Sequence, residues 1–127
     1  MTEYLELQDL VRIACRVTGS VEAPVRDWGL LESAATRPQA NIFGADAYPD
    51  LHEKVAALVH SLARNHALID GNKRLALMAA YVMYNLNGYN LDPSPEEGDD
   101  FFRAVAQGDH DVPEIAKALA RWTTPIQ

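Results

Sequence analysis

Apolar residues recur at helical spacing along most of the chain and divide it into about six helical segments joined by punctuated turns. The clearest starts at Pro49, well placed in a first helical turn beside Asp50. It carries Leu51, Val55, Leu58, Val59 and Leu62 in one i, i+3, i+4 stripe and ends between Asn65 and Leu68. The next begins near Asn72, places Leu75, Met78, Ala79, Val82 and Leu86 on one face, and stops at Asn87-Gly88. Tyr81, Tyr84 and alanines on its other sides predict that this helix is covered nearly all round and is therefore central. Upstream, residues 3–18 predict a helix with Thr2 as N-cap and Gly19 as stop. Residues 27–36 predict a short one that is capped by Asp27, buries Leu30, Leu31, Ala34 and Ala35, and ends at Pro38. Downstream, Glu96 to Ala106 turns Phe101, Phe102 and Val105 inward before Gly108. A last helix, capped by Asp111 with Pro113 in its first turn, sets Ile115, Leu119 and Trp122 on one side before Pro125.

Two stretches break this rhythm. Residues 90–95, NLDPSP, read as a loop. Residues 37–49, RPQANIFGADAYP, read as a loop or a small hairpin, long for a compact helical domain. The latter either carries function or covers the core with Ile42, Phe43 and Tyr48. No other run alternates as a strand, and there is no repeat or linker. The expected class is all-α, one domain over residues 1–127.

Composition narrows the function. A net charge of −7 and a pI near 4.9 argue against direct nucleic-acid binding, which needs a basic face. Cys15 is the sole cysteine, so no internal disulfide forms and a reducing, cytoplasmic setting is expected. Met1 to Leu7 holds two glutamates and no basic residue, unlike a signal peptide. The most apolar run, Leu75 to Leu86, is 12 residues, short of the roughly 18 to 20 that span a bilayer, so no membrane is expected. His52 and His60 read as surface histidines, His110 as part of a polar turn, and Trp28 and Trp122 as core or groove residues.

The chemistry concentrates in HALIDGNKRL, residues 66–75, at the junction of the two central helices. With one helix ending near 66 and the next starting near 72, the amides of Gly71, Asn72, Lys73 and Arg74 become unpaired donors at a positive helix end. Gly71 lets backbone approach an anion, and Lys73 and Arg74 add charge that a helix N-terminus disfavours unless a polyanion binds there. His66 supplies an imidazole, the side-chain type suited to accept a proton from an attacking hydroxyl, and Asp70 a carboxylate suited to Mg²⁺ beside phosphates. That set suits phosphoryl or nucleotidyl transfer. The residues alone leave a second reading open, in which Asp-Gly-Asn is a turn, Lys73 and Arg74 are a solvated pair and His66 caps a helix.

HALIDGNKR resembles the active-site motif of the Fic/Doc family, whose Fic branch reads HPFxxGNGR; Lys73 in place of the second glycine is similar to the Doc, or death-on-curing, branch. The helix pattern, the loop before the motif and the NGY end of the central helix extend the resemblance over the whole chain. It implies a six-helix bundle with a central motif helix and a preceding flap at residues 37–48 that docks the target segment. It implies His66 as catalytic base, Asp70 as Mg²⁺ ligand, Asn72, Lys73 and Arg74 as phosphate contacts, and Gly71 as a source of backbone amides. The implied activity is that of a toxin kinase passing the ATP γ-phosphate to a threonine of elongation factor Tu, which blocks translation. Its implied partner is a cognate antitoxin whose C-terminal segment folds onto the toxin. AMP transfer of the Fic type and a non-catalytic interaction module are the alternatives. Leu68 stands where the motif usually has Phe, and Leu75 where Doc proteins often have Thr. No [ST]xxxE[GN] inhibitory signature is in register, since SPEEG at 94–98 is one residue short.

Overall fold

Six helices and two small antiparallel strand pairs make up the computed structural model, which describes residues 1–127. In chain order they are α1 (Leu7–Thr18), α2 (Trp28–Thr36), a 3-10 turn (Arg37–Gln39), β1 (Asn41–Ile42), β2 (Ala45–Asp46) and α3 (Leu51–Arg64). After these come α4 (Asn72–Leu86), β3 (Tyr89–Leu91), α5 (Pro95–Gln107), α6 (Val112–Arg121) and β4 (Thr123–Pro125). The all-α expectation holds, with strands of two or three residues added.

α3 forms the centre: every residue from Lys54 to Val59 is buried, and it packs against α2, the 3-10 turn, α4, α5 and α6. Its stripe of Val55, Leu58, Val59 and Leu62 forms core as the spacing predicts. α4 is rotated from expectation. Its buried residues are Leu75, Ala76, Ala79, Ala80, Met83 and Tyr84, while Met78, Tyr81 and Leu86 are 39%, 40% and 51% exposed. Three small alanines are part of the side that meets α1 and α3, where short side chains permit close approach, so the larger residues are displaced outward.

α1 starts four residues later than the pattern predicts. Glu6, not Thr2, is the N-cap, in a reciprocal capping box with Asp9 that pairs the orphan amides; Gly19, at φ 68°, ends the helix as expected. Residues before it form no regular element, with Leu5 in the core and Glu3 paired through both backbone groups to the Asn87 amide. β3 and β4 pair Tyr89 with Pro125 and Leu91 with Thr123, a closure too short for any periodicity to announce.

The 37–49 stretch is a hairpin on a 3-10 base. Asn41 pairs with Asp46 and Ile42 with Ala45, around a turn in which both Phe43 and Gly44 have positive φ. Phe43 is fully exposed and Ile42 60% exposed, so neither covers the core. The base is tied down instead. Arg37 donates to the Tyr48 hydroxyl at 3.0 Å and Ser61 Oγ at 3.0 Å and meets His60 Nδ1 at 2.9 Å. Lys54, buried, donates to the Tyr48 carbonyl and to Asp46 at 3.2 Å, which offsets the cost of burying an ammonium. Burial and the Arg37 charge hold the His60 imidazole below its ordinary range, so it stays neutral and accepts from Arg37. His60 and His52 are thus not surface histidines; His52 Nδ1 meets the buried Tyr84 hydroxyl at 2.7 Å. Trp28 is not core either, being 53% exposed, whereas Trp122 is half-buried, edge-on to Phe101 with centroids 5.4 Å apart.

Candidate active site

α3 ends at Arg64 and α4 begins at Asn72, and the seven residues between, Asn65–Gly71, form the motif loop. A strap from the α1–α2 connection lies along it: Val25 bridges Leu68, the Arg26 and Asp27 amides donate to the Ala67 carbonyl at 2.7 and 3.0 Å, and Ile69 N–H donates to the Pro24 carbonyl at 2.8 Å. Inside the loop the Asn72 side chain closes a ring, accepting from Leu68 N–H at 2.9 Å and donating to the Leu68 carbonyl at 3.0 Å. Ala67 and Leu68 are buried, so Leu68 is the core anchor at the position where the motif usually has Phe.

With the loop's middle pinned inward, its ends face solvent. His66, Asp70, Gly71, Asn72, Lys73 and Arg74 line one cleft of about 330 Å³, walled also by Ala63, Ile69 and Ala106. The structure therefore brings all six expected residues together. The Asn72 side-chain amide is engaged by Leu68, so the group Asn72 leaves free is its backbone N–H.

Gly71 is the N-cap of α4 at φ 88°, with no side-chain cap. The first intrahelical bond runs from Leu75 N–H to the Gly71 carbonyl at 2.9 Å, so the amides of Asn72, Lys73 and Arg74 remain free first-turn donors. Its missing side chain matters for packing too, since a Cβ there would lie 2.9 Å from Thr18 Cγ2 at the end of α1. Gly71→Ala combines that contact with a left-handed backbone, and thermal or chemical unfolding is expected to show a loss of about 1–3 kcal/mol. A loss no larger than that of an exposed helical substitution would show that the loop shifts freely.

The charges differ in their engagement. Lys73 is paired with Asp99 of α5, whose other oxygen accepts from Arg103 at 2.6 Å. The hydrogen bond from Lys73, with help from the Arg103 charge, holds the Asp99 carboxyl below the usual carboxylate range. Asp70 and Arg74 enter no ion pair and are exposed at the cleft. No three His, Cys, Asp or Glu side chains cluster, so a divalent ion here would have Asp70 as protein ligand and take its other oxygens from phosphates and water, a donor set that fits Mg²⁺. Lys73 and Arg74 also line a neighbouring groove of about 350 Å³ with an apolar floor of Leu77, Met78, Tyr81 and Phe102.

Three contributions were beyond sequence reasoning: the Arg26 strap, the Asn72 clamp and the Asp99 pairing. The i, i+4 spacing of Asp99 and Arg103 marks that pair, but nothing in the chain marks its reach to Lys73 across 26 positions.

No helix is long and apolar enough to cross a membrane. The Fic model, described as the Fic/DOC family, matches residues 4–84. A protein of Mycolicibacterium smegmatis (strain ATCC 700084 / mc(2)155) named Toxin Doc is 46% identical over 129 residues, covering 100% of this chain and 98% of the relative. The motif cleft, the family match and this identity lead to one assignment: the chain belongs to the Fic/DOC family.

Proposed function

We propose that the protein is the toxin of a toxin-antitoxin pair, a protein kinase that moves the ATP γ-phosphate to a threonine hydroxyl of elongation factor Tu and so halts translation. The relative named Toxin Doc supports the toxin role and, with it, a cognate antitoxin as partner. The observation that carries the kinase reading is Lys73, which lines the cleft at the motif position where the Fic branch has glycine; on this reading its side chain takes up room that a nucleotide phosphate would need for AMP transfer.

On this reading the His66 imidazole accepts the proton of the attacking hydroxyl as its oxygen bonds the γ-phosphorus, and the bond to the β–γ bridging oxygen breaks to release ADP. The amides of Asn72, Lys73 and Arg74, with the Arg74 guanidinium and the Lys73 ammonium, hold phosphate oxygens at the positive end of α4. Asp70 would hold Mg²⁺, which when bound neutralises charge on the phosphates. The exposed flap of Ile42 and Phe43 is the surface that would dock the target segment. Incubation with elongation factor Tu and ATP labelled at either the γ- or the α-phosphate tests this. Label from the γ-position is expected; label from the α-position would replace phosphorylation with AMP transfer.

A further inference from the structure

His66 and Phe43 are the two non-glycine residues with positive φ. The Phe43 value belongs to its hairpin turn; His66 follows the α3 C-cap Asn65, where left-handed residues are common, but neither its N–H nor that of Ala67 makes the backbone bond to an α3 carbonyl that usually closes such an end. Besides the strap amides that hold the neighbouring Ala67 carbonyl, one side chain grips the His66 peptide itself. Arg26 donates from Nε to the His66 carbonyl at 3.0 Å, from Nη2 to that same oxygen, and from Nη2 towards the Asn65 carbonyl at 3.4 Å.

We propose that Arg26 is a positioning residue for His66: its guanidinium fork grips the His66 carbonyl, sets the left-handed backbone, and so keeps the imidazole at the cleft. The strap does not need this side chain to dock, because the Arg26, Asp27 and Ile69 amides already pair it with the motif loop. The guanidinium is therefore surplus to docking and is directed at the His66 carbonyl, with a longer contact to that of Asn65. Its place is electrostatically sound, since a cation past the end of α3 faces that helix's unpaired carbonyls. A lysine there would supply the charge but not two donors on one oxygen. The proposal rests on reading His66 as the base.

The test is NMR on the isotopically labelled full chain, joined to transfer kinetics. In Arg26→Ala the ¹³Cα and amide resonances of His66 are expected to move, while those of Val25 and Leu68 stay. Millimolar guanidinium is expected to return them towards their original positions. The transfer kcat is expected to fall about ten- to a hundredfold, with the KM for ATP within about twofold, as for a misplaced catalytic group rather than a lost binding contact. Unmoved His66 resonances overturn the proposal, as does a kcat unchanged while His66→Ala is inactive. If Arg26→Ala does not fold, Arg26→Lys decides by the same His66 resonances, with a partial shift expected and none overturning it. A His66→Ala variant as active as wild type would end the reading of His66 as base, a result distinct from either.

Discussion

On the proposed kinase reading, replacing His66 with alanine is expected to lower phosphoryl transfer by ~10²–10⁴-fold while leaving the fold in place. The imidazole is exposed at the cleft and its side chain makes no hydrogen bond to the rest of the protein, so its removal leaves no buried partner unsatisfied and opens no core cavity. The grip of Arg26 is on the carbonyl, which alanine retains. Melting temperature is therefore expected to stay within a few degrees of wild type, as for a surface substitution. Single-turnover transfer to elongation factor Tu measures the first quantity and circular dichroism the second. Growth arrest on expression reports the same chemistry in cells. His66→Ala that arrests growth as fully as wild type would make binding, not catalysis, the source of toxicity.

Legibility in the sequence followed the range of the interaction. α3 was readable because its buried stripe is periodic, but it starts later than expected: Asp50 is the N-cap, accepting from Glu53 N–H at 2.8 Å, and Pro49 lies outside the first turn. The start of α4 was readable because Gly71-Asn72 begins it, with the glycine as a left-handed N-cap. The six cleft residues came together because they lie within nine positions, so local geometry alone brings them close. The phase of α4 was misread because leucine and methionine weigh more than alanine in a periodic pattern, although alanines decide how near α1 and α3 come. Trp28 was misplaced for a related reason: it is the first residue of α2, after an N-cap whose carboxylate pairs with Leu30, and that end of the helix faces solvent. What no local pattern reveals is contact across sequence, such as Arg26 on His66 at a separation of 40 or Lys73 on Asp99 at 26. These long-range contacts turn a motif into a shaped site.

On the kinase reading proposed above, Lys73 carries the choice of reaction, and two substitutions separate its bulk from its charge. Lys73→Met keeps much of the volume and removes the ammonium. It is expected to cost ~10²–10³-fold in γ-phosphate transfer, the scale of losing one preorganised group at a developing charge. It also leaves Asp99 with Arg103 alone, which makes this edge of the cleft more negative and opposes a polyanionic substrate further. Lys73→Gly loses the same charge and also opens the space beside Arg74, at the mouth of the 350 Å³ groove the two residues share with the cleft. Glycine in the first turn of α4 costs about 1 kcal/mol relative to alanine, a shift of a few degrees in melting temperature that leaves the chain folded at assay temperature. If bulk is what excludes the AMP-transfer pose, Lys73→Gly alone transfers label from the α-phosphate, and Lys73→Met transfers little from either position. Equal behaviour of the two variants with both labels would mean that the charge of Lys73, and not the room it occupies, selects the phosphorus that is attacked.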